Sequence, residues 1–281
     1  MNCPNCSFEL PTYVKECPVC YTDVGCPNVR ASKAKEEIDA LNQRFDDARI
    51  STKARNCENL LLDFGTAVLQ SKAVISRSIG YVKELISSDN KLYNTFYQQI
   101  QSGSRLPEDN RWDRGRPAVD GTLFPYYGEK IIFAALSLNN FGLKSYGDYS
   151  IVLKEETIIN RATVFEENSF IFCQERHKIV VGNPIPLGYR TTWTQRNILA
   201  MAKLHSKFDP STTPDAFPTI LMTQDQNSKE EDFIEVHIYG PIHSKSIERI
   251  VGSKPKKRED QVIWRSLKKS LIGNGIVLEE H

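Results

Sequence analysis

The chain has none of the short motifs that mark the common catalytic machineries. It holds no Walker-type phosphate loop, no GxGxxG dinucleotide turn, no HExxH zinc helix and no GxSxG nucleophile elbow. A nicotinamide dinucleotide, if used, is therefore not held by a Rossmann crossover. The 5 histidines are dispersed and do not suggest a catalytic metal site. An excess of one charge is also missing: Lys and Arg number 36 against 35 acidic residues, a net charge of +1. That balance excludes a highly basic whole-chain nucleic-acid binder and leaves only local patches for polyanion contact. Long apolar runs are absent too. The longest, around Ile131 to Leu138, falls far short of the roughly 20 residues that cross a bilayer. No charged segment followed by an apolar run opens the chain, so no signal peptide is expected. The expectation is a soluble, cytoplasmic protein without membrane contact.

With 281 residues, 40% of them hydrophobic, the chain can bury one good core and a small accessory module. Five of its 7 cysteines fall in the first 26 residues: Cys3, Cys6, Cys17, Cys20 and Cys26. Cys57 and Cys173 stand alone and read as buried free thiols. The cluster is two matched Cys-Pro-x-Cys turns, at Cys3–Cys6 and Cys17–Cys20. Each turn offers two thiolates from one tight loop, which is what a tetrahedral zinc site needs. The pattern resembles a rubredoxin-type zinc ribbon, with Ser7 and Tyr21 where many ribbons carry glycine. Cys3, Cys6, Cys17 and Cys20 are the expected structural Zn2+ ligands. The ribbon either binds nucleic acid, contacts a partner protein, or serves only to fold the N-terminus.

Three segments follow from periodicity: a ribbon over 1–28, a helical linker over 29–56, and a main α+β domain over 57–281. Ala34, Ile38, Leu41, Phe45 and Ala48 recur at helical steps. Residues 73–77 read either as strand or as helix; on the strand reading, Ser78 caps a helix from Ile79 to Ile86. Leu92 to Ile100 reads as helix. Gln101 to Tyr127 reads as a long irregular segment carrying Arg105, Arg111, Trp112, Arg114 and Arg116. Such a loop suits phosphate and base contacts, or is a solvated loop with salt bridges. Strands are expected at 149–153, 161–165, 170–172, 179–181 and 218–223, and helices at 194–208 and 260–272. The run Lys254-Pro255-Lys256-Lys257-Arg258 is a nuclear address, a polyanion patch or a solvated loop.

The most informative stretch is Phe233-Ile234-Glu235-Val236-His237-Ile238-Tyr239. With a two-residue period, Ile234, Val236 and Ile238 turn to a core, while Glu235 and His237 share the other face with Phe233 and Tyr239. A carboxylate and an imidazole between aromatic rings make a plausible cleft floor. Together with Leu143-Lys144-Ser145-Tyr146-Gly147 through Tyr149-Ser150-Ile151-Val152-Leu153, Arg161-Ala162-Thr163 and Glu167-Asn168-Ser169, this stretch is similar to the strand pattern of bacterial ADP-ribosyltransferase toxins, over roughly residues 70–250. The resemblance implies a mixed or antiparallel split sheet around an NAD cleft. It implies Glu235 as the catalytic carboxylate, Ser169 as a cleft-supporting residue and Arg77 as the basic residue of the first strand. From the residues themselves, Tyr146 or Tyr239 is expected to stack on nicotinamide, and His237 to orient the acceptor or donate a hydrogen bond. Gln224 to Ser228 would be the substrate loop. The implied activity is NAD-dependent mono-ADP-ribosylation of a macromolecule by a toxin or defence effector, RNA or DNA being favoured over protein, with a neutralising partner protein. The alternative is a non-enzymatic zinc-ribbon adaptor or nucleic-acid-binding protein.

Overall fold

The computed structural model describes residues 1–103, 106, 111–224 and 231–281. After the ribbon come α1 (Pro27–Ser32), α2 (Lys35–Ala54), α3 (Glu58–Val68), β1 (Lys72–Arg77), α4 (Ile79–Leu85), α5 (Phe96–Gln101) and α6 (Arg111–Leu123). The chain continues with β2 (Ile131–Ser137), β3 (Tyr149–Leu153), α7 (Glu155–Ile158), β4 (Ala162–Phe165), β5 (Arg190–Thr192), α8 (Arg196–Leu204) and α9 (Phe217–Leu221). It closes with β6 (Glu235–Tyr239), β7 (Ile247–Gly252), α10 (Arg258–Gly273) and β8 (Val277–Glu280). This is a mixed α and β protein. Among the described residues, eight strands form one hydrogen-bonded order, β5-β4-β6-β2-β1-β3-β7-β8, where the resemblance implied a split sheet. Every pairing is antiparallel except β7 with β8.

The two faces of the sheet have different work. Ile75, Ile132, Ala134, Ile151, Val164, Val236 and Ile238 turn to one face and join the main core. Helices α2, α3 and α8 close that face at one end through Leu41, Phe64 and Leu199, and α4 and α10 close it at the other through Val82, Trp264 and Leu267. The helix expected as a linker therefore buries Leu41 and Ala48 in the main core. On the opposite face, the register aligns Val74, Ala135, Glu235 and Phe165 in one row across four strands. Phe133, His237 and Thr163 form the next row.

Local chemistry explains most of the elements. β1 is a strand, and the Ser78 hydroxyl accepts from the Tyr81 amide to start α4, resolving the ambiguity at 73–77. Thr95 and Gln98 close a reciprocal capping box on α5, so that helix starts at Phe96, later than the expected Leu92.

Several expectations are corrected. The segment expected as an irregular loop contains α6, with Pro117 inside it; Arg105 lies outside the described residues. The expected strand at 218–223 is largely helical: Pro218 suits the first turn of α9, and Phe217 and Leu221 bury one helical face. Phe170–Phe172 is not a strand, because Asn168 Oδ1 accepts from the Phe170 and Ile171 amides and starts a π-helical turn over Ile171–Arg176. Residues 179–181 are irregular, with Val180 and Val181 exposed. Strands β5, β7 and β8 were not anticipated. The β3–β7 register shifts at Val152/Leu153, which breaks the alternation that would have revealed β7.

Candidate functional site

Strand β6 sits in the middle of the sheet, with β4 on one side and β2 on the other. Both Glu235 and His237 are buried there, on the face away from the main core. Glu235 Oε2 accepts the Ser169 amide at 3.1 Å and lies 2.8 Å from His237 Nε2. The imidazole is enclosed by Phe124, Phe133 and Phe165, with ring centroids 4.8, 5.3 and 5.4 Å away. Ser169 owes its placement to the Asn168 turn, which aims its amide at the carboxylate. The buried Glu235 carboxyl is thus held in one orientation by the Ser169 amide and the His237 ring.

Glu235 opens onto a cavity of about 640 Å³. Arg77, Tyr146 and Ser169 line the same cavity. Arg77 ends β1, and the Lys144–Tyr146 turn lies directly over it because Gly147 at φ 141° leaves no room for a side chain: a Cβ would overlap the Arg77 carbonyl. The Arg77 guanidinium lies 5.1 Å from the Tyr93 ring and 5.7 Å from the Tyr81 ring. Tyr146 keeps 48% of its surface accessible.

Helix α6 supplies the facing wall. Phe170 packs directly on its backbone at Gly115, and Trp112 lies 4.6 Å from the Phe170 ring. This places Arg116 in the cavity wall, its guanidinium 5.0 Å from Phe96 and 5.2 Å from Phe133. One helical turn on, Asp120 also lines the cavity and accepts the Tyr97 hydroxyl at 2.8 Å. Burial pushes Asp120 up to about 6, against the pull of Arg116 and of the Tyr97 hydrogen bond. Among the described residues, Ser76 Oγ, Tyr93 OH and Arg116 Nε are buried cavity-wall atoms with no hydrogen-bond partner. Unpaired buried donors and acceptors are costly in an empty site and are groups a polar ligand would satisfy.

The structure thus brings Glu235, Arg77, Tyr146 and Ser169 together, with His237 behind the carboxylate. Tyr239 is not among them. Two residues beyond His237, it packs against Tyr127 at 6.2 Å in the cluster that also holds Phe124 and Phe165, and it does not line the cavity. Of the expected substrate loop, residues 225–228 lie outside the described residues. Sequence reasoning missed Asp120, Tyr93 and Ser76. The signal for Asp120 was its four-residue spacing from Arg116, which has meaning only once the segment is known to be a helix.

The second site is the ribbon. Cys3, Cys6, Cys17 and Cys20 bring their sulfurs within 4.8 Å of one another. The Cys3–Cys20 and Cys6–Cys17 sulfur distances are 3.6 and 3.5 Å. Zn–S bonds of about 2.3 Å in a tetrahedron put sulfurs roughly 3.8 Å apart, so the four can hold a metal ion such as zinc. The two knuckles repeat one geometry. Ser7 and Tyr21 take the left-handed conformation at φ 59° and 57°, and their amides donate to Cys3 and Cys17 carbonyls. These are the positions where many ribbons place glycine. Cys26 is not among the clustered sulfurs and packs with Val29 and Tyr239 instead.

Arg30 joins the ribbon to the body. From α1 its guanidinium donates to the carbonyls of Pro11, Thr12, Val14, Val24 and Gly25. Asn28 on the same helix donates to the carbonyls of Arg161 and His237. No helix among the described residues is long and apolar enough to cross a membrane. No protein-family model matches the chain, and no curated protein sequence matches it.

Proposed function

We propose that the protein is an NAD-consuming mono-ADP-ribosyltransferase whose reacting centre is the cavity at Glu235. The observation that carries this reading is the convergence of Arg77, Tyr146, Ser169 and Glu235, distant in sequence, on one cavity of about 640 Å³. That volume falls within the range of small-molecule and cofactor sites. The chemistry asks for a fixed negative charge beside a sugar carbon that becomes oxocarbenium-like as nicotinamide leaves. Glu235, held by the Ser169 amide and His237, meets that demand without reorganising as charge develops. Arg77 and Arg116 suit the pyrophosphate, and Tyr146, Phe96 and Trp112 offer ring faces for nicotinamide and adenine.

In this reading the acceptor is a macromolecule, RNA or DNA ahead of protein. The zinc ribbon helps select it, and the protein works as a toxin or defence effector held in check by a neutralising partner. Nicotinamide release from NAD, with and without RNA, DNA and protein acceptors, tests it. Wild type should release nicotinamide and a folded Glu235→Gln variant should lose about 10²- to 10³-fold. Full activity of that variant removes Glu235 from the mechanism.

A specific observation favours a second reading, a non-enzymatic zinc-ribbon binding protein: the ribbon exposes Tyr21, Val19 and Tyr13. It predicts salt-sensitive polyanion binding without NAD turnover, weakened on neutralising Arg111, Arg114 and Arg116.

A further inference from the structure

Besides Glu235, the cavity is lined by three acids, Asp113, Asp120 and Glu231, of which Asp120 is the most buried. Asp120 is buried to 3% exposure, yet it lines the cavity. Its Oδ2 accepts the Tyr97 hydroxyl from α5, and among the described residues no hydrogen bond reaches Oδ1. Its position is fixed from behind as well, because the turn after α6 brings Gly128 so close that a Cβ there would lie 3.1 Å from the Asp120 Cβ. The charged and titratable groups that face it are Arg116 on its own helix, Tyr97 on α5, Glu235 and His237 on β6, and Cys173 in the π-helical turn.

We propose that Asp120 is a second catalytic carboxylate of this cavity, the base that takes the proton of the attacking nucleophile, so that the natural acceptor attacks through a neutral O–H or N–H group. The proposal rests on the transferase reading above. The bond between the ribose C1′ and the nicotinamide nitrogen breaks, and its electron pair leaves with neutral nicotinamide. A lone pair of the acceptor oxygen or nitrogen forms the new bond to C1′, and the acceptor's proton passes to Asp120 and then to solvent. Glu235 takes up no proton in this balance. Burial holds Asp120 near 6. A base of that strength is ionised at neutral pH and still accepts a proton readily. The division of labour follows the surroundings. Glu235 is fixed in place by the Ser169 amide and His237, whereas Asp120 has one hydroxyl and an arginine opposing its burial.

Azide provides the decisive comparison, because it attacks as an anion and needs no base. Nicotinamide release from NAD is measured for the full-length protein from pH 5 to 8 with water, methanol or azide as acceptor. Wild-type hydrolysis and methanolysis should rise with pH through an inflection near 6, and azide transfer should lack that rise. Asp120→Asn should lose about 10²-fold with water and methanol and also lose the inflection, while azide transfer persists at the wild-type rate. Tyr97→Phe removes a hydrogen bond that favours the ionised carboxylate, so its inflection should move to higher pH. This variant carries the test if Asp120→Asn fails to fold by thermal melting. Equal losses with methanol and azide, or an unmoved inflection in Tyr97→Phe, would overturn the role of Asp120 while leaving the transferase reading intact. No nicotinamide release from wild type with any acceptor would overturn both.

Discussion

Glu235 and His237, two residues apart on β6, close a hydrogen bond of 2.8 Å inside a ring of three phenylalanines. Alternate residues of a strand share a face, and these two side chains are long enough to meet along it. The imidazole is walled off by Phe124, Phe133 and Phe165, so its work is to aim the carboxylate. His237→Ala should cost roughly 2 to 4 kcal/mol, from the cavity left among the rings and the lost hydrogen bond. It should also slow nicotinamide release by up to about 10²-fold through misplacement of Glu235. Urea denaturation and a kcat measurement on the same preparation check both.

Metal removal has a local signature. The ribbon's own small core is Cys3, Leu10 and Cys17 with Val14 and Val24 around them, too little to fold 26 residues without metal. Cys17→Ser, or chelation of wild type, should abolish bound zinc by elemental analysis. It should also raise amide exchange across residues 1–26 before it affects the sheet.

The left-handed position at Gly147 can be tested by one methyl group. Gly147→Ala places a Cβ against the Arg77 backbone at φ 141°. The expected loss is at least about 2 kcal/mol. The Tyr146 turn should shift away from Arg77, and NAD affinity should fall more than stability alone explains. Calorimetric titration of the folded variant against wild type decides this.

Two buried acids set a pH dependence of stability. Burial pushes Glu167 up to about 7 and Asp120 up to about 6. Each binds its proton more tightly in the folded chain than in the unfolded one. Folding therefore loses stability as pH rises from the ordinary carboxylate range through those values, by at most about 1.4 kcal/mol per pH unit for each group. Asp232, Asp23 and Glu248 are held below their ordinary values, so their contribution is lost only at more acid pH. Glu167→Gln should flatten the decline in melting temperature between pH 5 and 7. An unchanged decline would show that Glu167 does not cause it.

What the sequence disclosed depends on how local the determining interaction is. The cysteine cluster able to hold a metal was legible because its four cysteines and their spacing lie within one short stretch. Strands β3 and β6 were legible as short runs rich in β-branched and aromatic residues, and helix α10 because it has a clean period and one buried face. Helix α6 was hidden by Gly115, Pro117 and Gly121, which read as loop residues, yet Gly115 is what admits Phe170 against the helix. Asp120 was hidden for the same reason. It belongs to the site only because α6 folds across the sheet, and no neighbour in sequence announces that. The orientation of Glu235 could be read from strand alternation, whereas its Ser169 partner came from a resemblance, and the geometry joining them depends on the Asn168 turn.

The guanidinium of Arg30 holds the carbonyls of two ribbon loops while Asn28, two residues away, holds the backbone of the strand that bears His237. The ribbon is consequently moored to the sheet through two side chains of one short helix, so a change at Arg30 or Asn28 would loosen the ribbon from the strand that carries His237.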